Sequence, residues 1–186
     1  MKFTKDWFSS NIDVYNKHMD LLANKHNILE IGSYEGRSAT WFYENLLAEN
    51  GAITCVDCFD YPYSDNPQLA SISIEKRLRY NLSHLKNKNK HIRIIKEKSH
   101  IALSSFIVDQ CAFDLIYIDG SHTEIDALTD AVLAFRCLEK TGVMIFDDCY
   151  ETMFPVNRVV DVFCDIYKDH LDVIHRDYQA IIQKTT

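Results

Sequence analysis

Short apolar runs alternate with stretches of helical periodicity along this chain, and that alternation constrains the fold more than any other feature. Strand-like runs fall at residues 28–31, 52–56, 92–95, 115–118 and 143–146. Apolar residues recur at helical spacing at Ile12, Tyr15, Met19 and Leu22 before the first run. They recur again at Ala39, Phe42, Tyr43, Leu46 and Leu47, where Asn50-Gly51 predicts the stop. Three later sets follow: Ile74, Leu78, Leu82 and Leu85; Ile125, Leu128, Val132 and Phe135; and Val159, Val160, Phe163 and Ile166. The Thr141-Gly142 pair predicts the end of the second of these. Alternation of this kind predicts an α/β fold, a doubly wound and mostly parallel sheet with helices on both faces. Two last runs, 171–174 and 180–183, are too close for a crossover helix and predict a C-terminal antiparallel hairpin.

The 186 residues suit one domain, 1–186, on which the helical segment 1–26 packs. With a formal charge of -7 the chain offers no basic surface for nucleic acid, and Lys86, Lys88 and Lys90 fall in a polar turn. No apolar stretch reaches the ~18 to 20 residues of a membrane span, which predicts no membrane partner. Met1 to Trp7 lacks a signal peptide's apolar centre. The expectation is a cytoplasmic protein whose six cysteines are reduced, and the oligomeric state is not legible. Cys55 and Cys58 form a C-x-x-C, but no second pair stands at zinc-site spacing, so ordinary burial is expected of them.

In sheets of this type a ligand sits beyond the carboxyl ends of the strands. Here those ends carry acids and glycines. Glu30-Ile31-Gly32-Ser33-Tyr34-Glu35-Gly36 follows the first run, where Gly32 permits a tight turn and Gly36 a close helix start. A dinucleotide fingerprint needs a glycine at the position of Tyr34, so the loop argues against a pyrophosphate and against an NAD-dependent oxidoreductase. Asp57 ends the second run, where a carboxylate can accept hydrogen bonds from both ribose hydroxyls.

The ordered set E-I-G-S-Y-E-G-R-S, C-V-D, I-D-G-S-H and F-D-D resembles class I S-adenosylmethionine-dependent methyltransferases, in the compact branch that includes the macrocin-type sugar O-methyltransferases. The resemblance runs from about Asn27 through Gln183 and implies a Rossmann-like methyltransferase fold. It implies that Glu30 and Gly32, with Ser33 and Gly36 of the same loop, line the methionyl end, that Asp57 holds the ribose, and that Ser99 lies beside the adenine. A helix N-cap is the other role open to Ser99. The chain departs from the family at Glu97-Lys98, just before that serine.

Asp119 ends the fourth run, within reach of the cofactor, and Asp147-Asp148 ends the fifth. Three converging carboxylates repel one another, and a hard cation such as Mg²⁺ relieves that cost. The macrocin-type resemblance likewise implies a metal on acids at these positions. Ser121-His122-Thr123-Glu124 reads as a capping box that starts a helix at His122, placing the imidazole at the same mouth as a general base. Tyr61, Pro62, Tyr63, Tyr150 and Phe154 are expected to shape a pocket for a small hydroxylated acceptor, a sugar or a phenol. Trp7 and Phe8 pack or form a lid. The competing readings are a metal-independent N- or O-methyltransferase and a cofactor-binding module without turnover.

Overall fold

The computed structural model describes residues 1–60, 67–150 and 155–186, the side chains of 67–71 excepted. Tyr61, Pro62, Tyr63 and Phe154 lie outside the described residues. Seven strands form one sheet: β1 (Lys25–Ile31), β2 (Leu47–Asp57), β3 (His91–Lys96), β4 (Phe113–Ile118), β5 (Leu138–Phe146), β6 (Leu171–Arg176) and β7 (Ala180–Lys184). Their order is β3-β2-β1-β4-β5-β7-β6. The first five pair in parallel, and β7 runs antiparallel to both β5 and β6. The chain winds outward from β1 in one direction to β3 and then from β4 in the other. The doubly wound sheet and terminal hairpin expected from the sequence are both present.

The helices are α1 (Ile12–Lys17), α2 (Met19–Leu22), α3 (Arg37–Asn45), α4 (Pro67–Leu82), α5 (Ser99–Val108), α6 (Glu124–Cys137) and α7 (Val156–Ile166). Successive strand residues point to opposite faces, so each strand feeds two cores. Ile28, Leu115 and Val143 pack with Leu22, Phe42 and Leu78. Their neighbours Leu29, Ile116 and Met144 pack with Leu103, Ala131 and Phe163. Burial on both faces is why these strands read as continuous apolar runs rather than alternating ones. Among the described residues no helix is long and apolar enough to cross a membrane.

Several expectations need correction. The first helix is two short ones, broken at His18, whose φ of -114° and ψ of 21° leave the helical region. Leu46 and Leu47 are not helical, because α3 ends at Asn45 and Leu47 already pairs with Lys25. α6 stops at Cys137, because Leu138 pairs with Phe113 and starts β5; Thr141-Gly142 lies within that strand. Ile125 is 80% exposed and no part of the buried face of α6. Between β3 and β4 the sequence showed no one-sided stripe, yet α5 is there, apolar along most of its length. A helix with apolar residues all round carries no periodic signal.

Candidate active site

Backbone pairing gathers the carboxyl ends of four strands. Gly32 N–H donates to Val56 O at 2.9 Å, Asp119 N–H to Ile31 O at 2.9 Å, and Asp147 N–H to Ile118 O at 3.0 Å. Gly32 has φ +84°, and a Cβ there would lie 1.8 Å from Asp119 O and 2.9 Å from Gly120 Cα. The loop after β1 therefore rests on the end of β4, which only glycine permits. Gly36 has φ +80° and starts α3 against α4, where a Cβ would meet Leu78 Cδ1 at 2.6 Å.

Tyr34 and Phe59 also take left-handed backbone conformations, with φ of 46° and 55°. Such geometry in bulky residues needs support from elsewhere. Asp57 supplies it. Its Oδ2 accepts from Tyr34 N–H at 2.8 Å and its Oδ1 from Phe59 N–H at 2.6 Å. Burial raises the Asp57 carboxyl, while these amides and that of Ser33 pull it back down. Glu30 is fully buried and accepts from the Ser38 hydroxyl at 2.5 Å, so it faces α3 rather than the open edge. Burial pushes its pKa up to about 7, against hydrogen bonds from Ser33, Ser38 and Cys55. Cys55 is buried, whereas Cys58 is exposed, contrary to the burial expected for both. Ser99 is not an N-cap: Lys98 holds that position, and Ser99 lies near the buried Asp130 of α6, whose two carboxylate oxygens have no hydrogen-bond partner among the described residues. Burial raises Asp130 to about 6.

At the ends of β4 and β5, Asp119, His122 and Asp148 offer ligand atoms that all lie within 4.8 Å of one another. His122 Nε2 is 2.8 Å from Asp148 Oδ2 and 3.7 Å from Asp119 Oδ1. Asp147, expected with them, is not one of these three but lies beside Asp119, whose Oδ2 also accepts from the Tyr117 hydroxyl at 3.4 Å. Asp147 is buried, and it accepts from the Tyr117 hydroxyl, from Gln179 Nε2 at 3.0 Å and from Asp148 N–H at 2.9 Å. Asp148 takes a left-handed φ of 55°, which aspartate tolerates. The Tyr178 hydroxyl donates to its other oxygen. The capping box is shifted. Thr123, not Ser121, is the N-cap of α6 and accepts from Asp126 N–H at 3.3 Å, so His122 stands in the loop before the helix.

The electrostatics follow from this packing. Burial raises the Asp119 carboxyl well above its ordinary value; the His122 hydrogen bond opposes that, and the Asp147 and Asp148 charges add to it. The Asp119 and Asp148 carboxylates hold the His122 imidazole up to about 9. In the metal-free protein His122 is therefore an imidazolium at neutral pH, the internal counter-ion of the cluster. A folded-state pKa raised above ~6.5 contributes stability that is complete below that pH and is lost as pH rises through about 9. Asp119 acts with the same sign. With a His122 side chain 34% exposed, screening reduces the contribution to on the order of 1 kcal/mol. In chelator, wild-type protein is expected to lose more stability between pH 6.5 and 9 than His122→Gln; parallel losses in urea titrations would reject the pairing.

The N-terminal strap closes over the first loop. Thr4 donates to Glu35 through its N–H and its hydroxyl, both at 2.6 Å, and Arg77 pairs with Glu35 at 2.5 Å. Arg37 pairs with Asp6 at 3.2 Å. Trp7 and Phe8 part company: Phe8 is core, while Trp7 is 56% exposed with its ring 5.2 Å from that of Tyr34. Tyr150 is exposed. Sequence reasoning missed Tyr117, Tyr178 and Gln179. Tyr117 was legible, since it precedes Asp119 by two residues and so shares its face of the strand. The other two reach the site only through the hairpin.

A Rossmann-like sheet with acids and a glycine turn gathered at its switch point is the arrangement of the class I S-adenosylmethionine-dependent methyltransferases, and a family match assigns the chain to them. A family model described as a methyltransferase domain matches residues 29–149, and the chain belongs to that family. It is 28% identical over 128 residues to O-methyltransferase hkm8 of Aspergillus hancockii, a match covering 69% of this chain and 44% of that protein. The chain thus spans less than half the length of that relative. Its fold is similar to that of a candidate rRNA methylase of Clostridium thermocellum (TM-score 0.70, 13% identity, 98% of this chain and 99% of that one). It is similar as well to the MycE methyltransferase of mycinamycin biosynthesis, solved with Mg, S-adenosylhomocysteine and mycinamycin VI (TM-score 0.65, 17% identity, 97% and 51%). An O-methyltransferase of Bacillus cereus solved with S-adenosylhomocysteine gives a TM-score of 0.64 at 15% identity, covering 99% and 84%.

Proposed function

We propose that this protein, as one methyltransferase domain of the macrocin-type branch, methylates an oxygen of a small hydroxylated acceptor, a sugar or a phenol, with a divalent cation at Asp119 and Asp148. One observation carries the reading: the Gly32 turn of the cofactor loop touches the backbone of Asp119, so donor loop and acidic cluster are adjacent. The likeness to O-methyltransferase hkm8 favours an oxygen acceptor.

Bound S-adenosylmethionine supplies an electrophilic methyl group. Gly32, Ser33 and Gly36 shape the loop against it. Asp57 keeps lone pairs for the ribose hydroxyls beyond those its two amides use. Ser99, at the start of α5, stands for the adenine edge. Glu30 acts from beneath, by fixing Ser38 and α3. The pKa of about 7 leaves Glu30 partly protonated and lowers the cost of its burial.

Two carboxylates and an imidazole within 4.8 Å fit Mg²⁺ or Mn²⁺ by donor chemistry. A cation there lowers the pKa of an acceptor hydroxyl. His122 takes a proton only in its neutral form, so its role as general base depends on the carboxylates being neutralised. A second reading, favoured by the 4.8 Å grouping, makes His122 the third metal ligand. Mn²⁺ titration of His122→Gln separates the two: affinity is kept for a base and falls ~10- to 100-fold for a ligand.

The decisive assay is acceptor-dependent formation of S-adenosylhomocysteine across a panel of sugars and phenols. A module without turnover binds the cofactor and yields none. Asp57→Ala is expected to weaken S-adenosylmethionine by ~1 to 3 kcal/mol in calorimetry. Asp57→Asn keeps one acceptor for the loop amides, so it isolates the ribose contact. Wild-type affinity in both variants removes Asp57 from the cofactor site.

A further inference from the structure

A cavity of about 360 Å³ lies between the N-terminal turn Ser9–Asn11 with α1 and the β6–β7 hairpin. Asn11, Val14, His175, Asp177, Tyr178 and Gln179 line it. Its volume falls in the range of small-molecule sites. Asn11 and Gln179 are 4% and 1% exposed, yet Asn11 Nδ2 and Gln179 Oε1 have no hydrogen-bond partner among the described residues. Gln179 Nε2 is committed to Asp147 Oδ1 at 3.0 Å, which fixes the amide so that its oxygen is the uncommitted end. Beneath it lies the buried Tyr15, whose hydroxyl is near the Gln179 amide and likewise has no hydrogen-bond partner among the described residues. His175 Nε2 is also without a partner among the described residues. Buried polar atoms are normally matched, so a free amide donor, a free amide acceptor and a free imidazole nitrogen in one cavity describe a missing ligand group.

We infer that this cavity binds the non-reacting part of the acceptor and selects a neutral, hydroxyl-bearing ligand. A hydroxyl both accepts from Asn11 Nδ2 and donates to Gln179 Oε1, whereas a carboxylate or phosphate can only accept. The charge of the lining agrees: Asp177 faces the cavity, and among the described residues no lysine or arginine lines it. Val14 and the Tyr178 ring offer apolar area for the C–H face of a ring. Tyr178 and Gln179 join the cavity to the reactive end, since Tyr178 donates to Asp148 and Gln179 to Asp147. This inference rests on the methyltransferase reading for the word acceptor, but the cavity's selectivity can be measured without turnover.

Methyl glycosides of the common hexoses and the matching uronates are the probes, followed by saturation-transfer NMR with and without S-adenosylhomocysteine. At least one glycoside is expected to bind, with its uronate at least 10-fold weaker. Asn11→Leu is expected to weaken the glycoside at least 10-fold. Ser10→Trp, at an exposed position on the rim, should do the same by filling the cavity without touching the core. S-adenosylhomocysteine affinity should stay within twofold in both. Absence of any glycoside binding, uronates binding equally well, or wild-type affinity in Ser10→Trp overturns the inference. Glycoside binding in a protein with no affinity for S-adenosylhomocysteine would keep the cavity and reject the methyltransferase reading; the converse would do the opposite.

Discussion

Asp148→Asn is expected to lower turnover by roughly 10² to 10³ while S-adenosylhomocysteine affinity changes little. Asparagine takes the left-handed φ of 55° as readily as aspartate, so the local backbone survives. What disappears is one of the two carboxylates that face His122, at 2.8 Å. Asp119→Asn should act alike, since it removes the other. Asp147→Asn should behave differently. Asp147 is buried, is tied to Tyr117 and Gln179 and offers no atom to the three-residue group, so its loss should appear in stability before turnover. Chelation of the wild type should reproduce the Asp148→Asn loss, and Mg²⁺ or Mn²⁺ should restore activity only where both carboxylates remain. Full turnover after exhaustive chelation would remove the cation from the proposal and leave a metal-independent enzyme.

Gly32→Ala is expected to be the most damaging single methyl group in the chain. The added carbon would stand 1.8 Å from Asp119 O and 2.5 Å from Asp119 C, both backbone atoms, at a φ of +84°. Neither neighbour can rotate away, so the β1 loop and the end of β4 must separate. The left-handed conformation alone costs about 1 kcal/mol, and forced separation of paired strand ends brings the expected loss to about 4 kcal/mol. Gly36→Ala shares the backbone penalty but meets Leu78 Cδ1, the end of a flexible side chain, at 2.6 Å, and should cost about half as much. Urea denaturation of both variants checks the order. A Gly32→Ala protein as stable as the wild type would mean that the loop does not rest on Asp119.

How much was legible follows from the range of each interaction. The parallel strands were readable because burial on both faces writes the same apolar run whatever the partner. The gathering of Gly32, Asp57 and Asp119 at one edge was readable because a sheet of this type presents its strand ends there. Errors arose where a local pattern met a tertiary competitor. Leu46 and Leu47 have helical spacing, but pairing with Lys25 draws Leu47 into β2. The α6 cap moved from Ser121 to Thr123, because both satisfy the same local rule and only packing chooses between them.

By itself the sequence determined the winding of the sheet, the terminal hairpin and the edge at which chemistry gathers, since periodicity and strand-end residues are properties of neighbours along the chain. The tertiary structure alone decided which acid of the Asp147-Asp148 pair enters the cluster. Asp148, at a left-handed φ, meets His122, and Asp147 is left to Tyr117 and Gln179. It also decided that His122 is held as a cation, because that depends on two carboxylates brought by different strands. The cavity between Asn11 and Gln179 has the same origin: its walls are 168 positions apart, and no local pattern reports an unmatched donor and acceptor that meet only on folding.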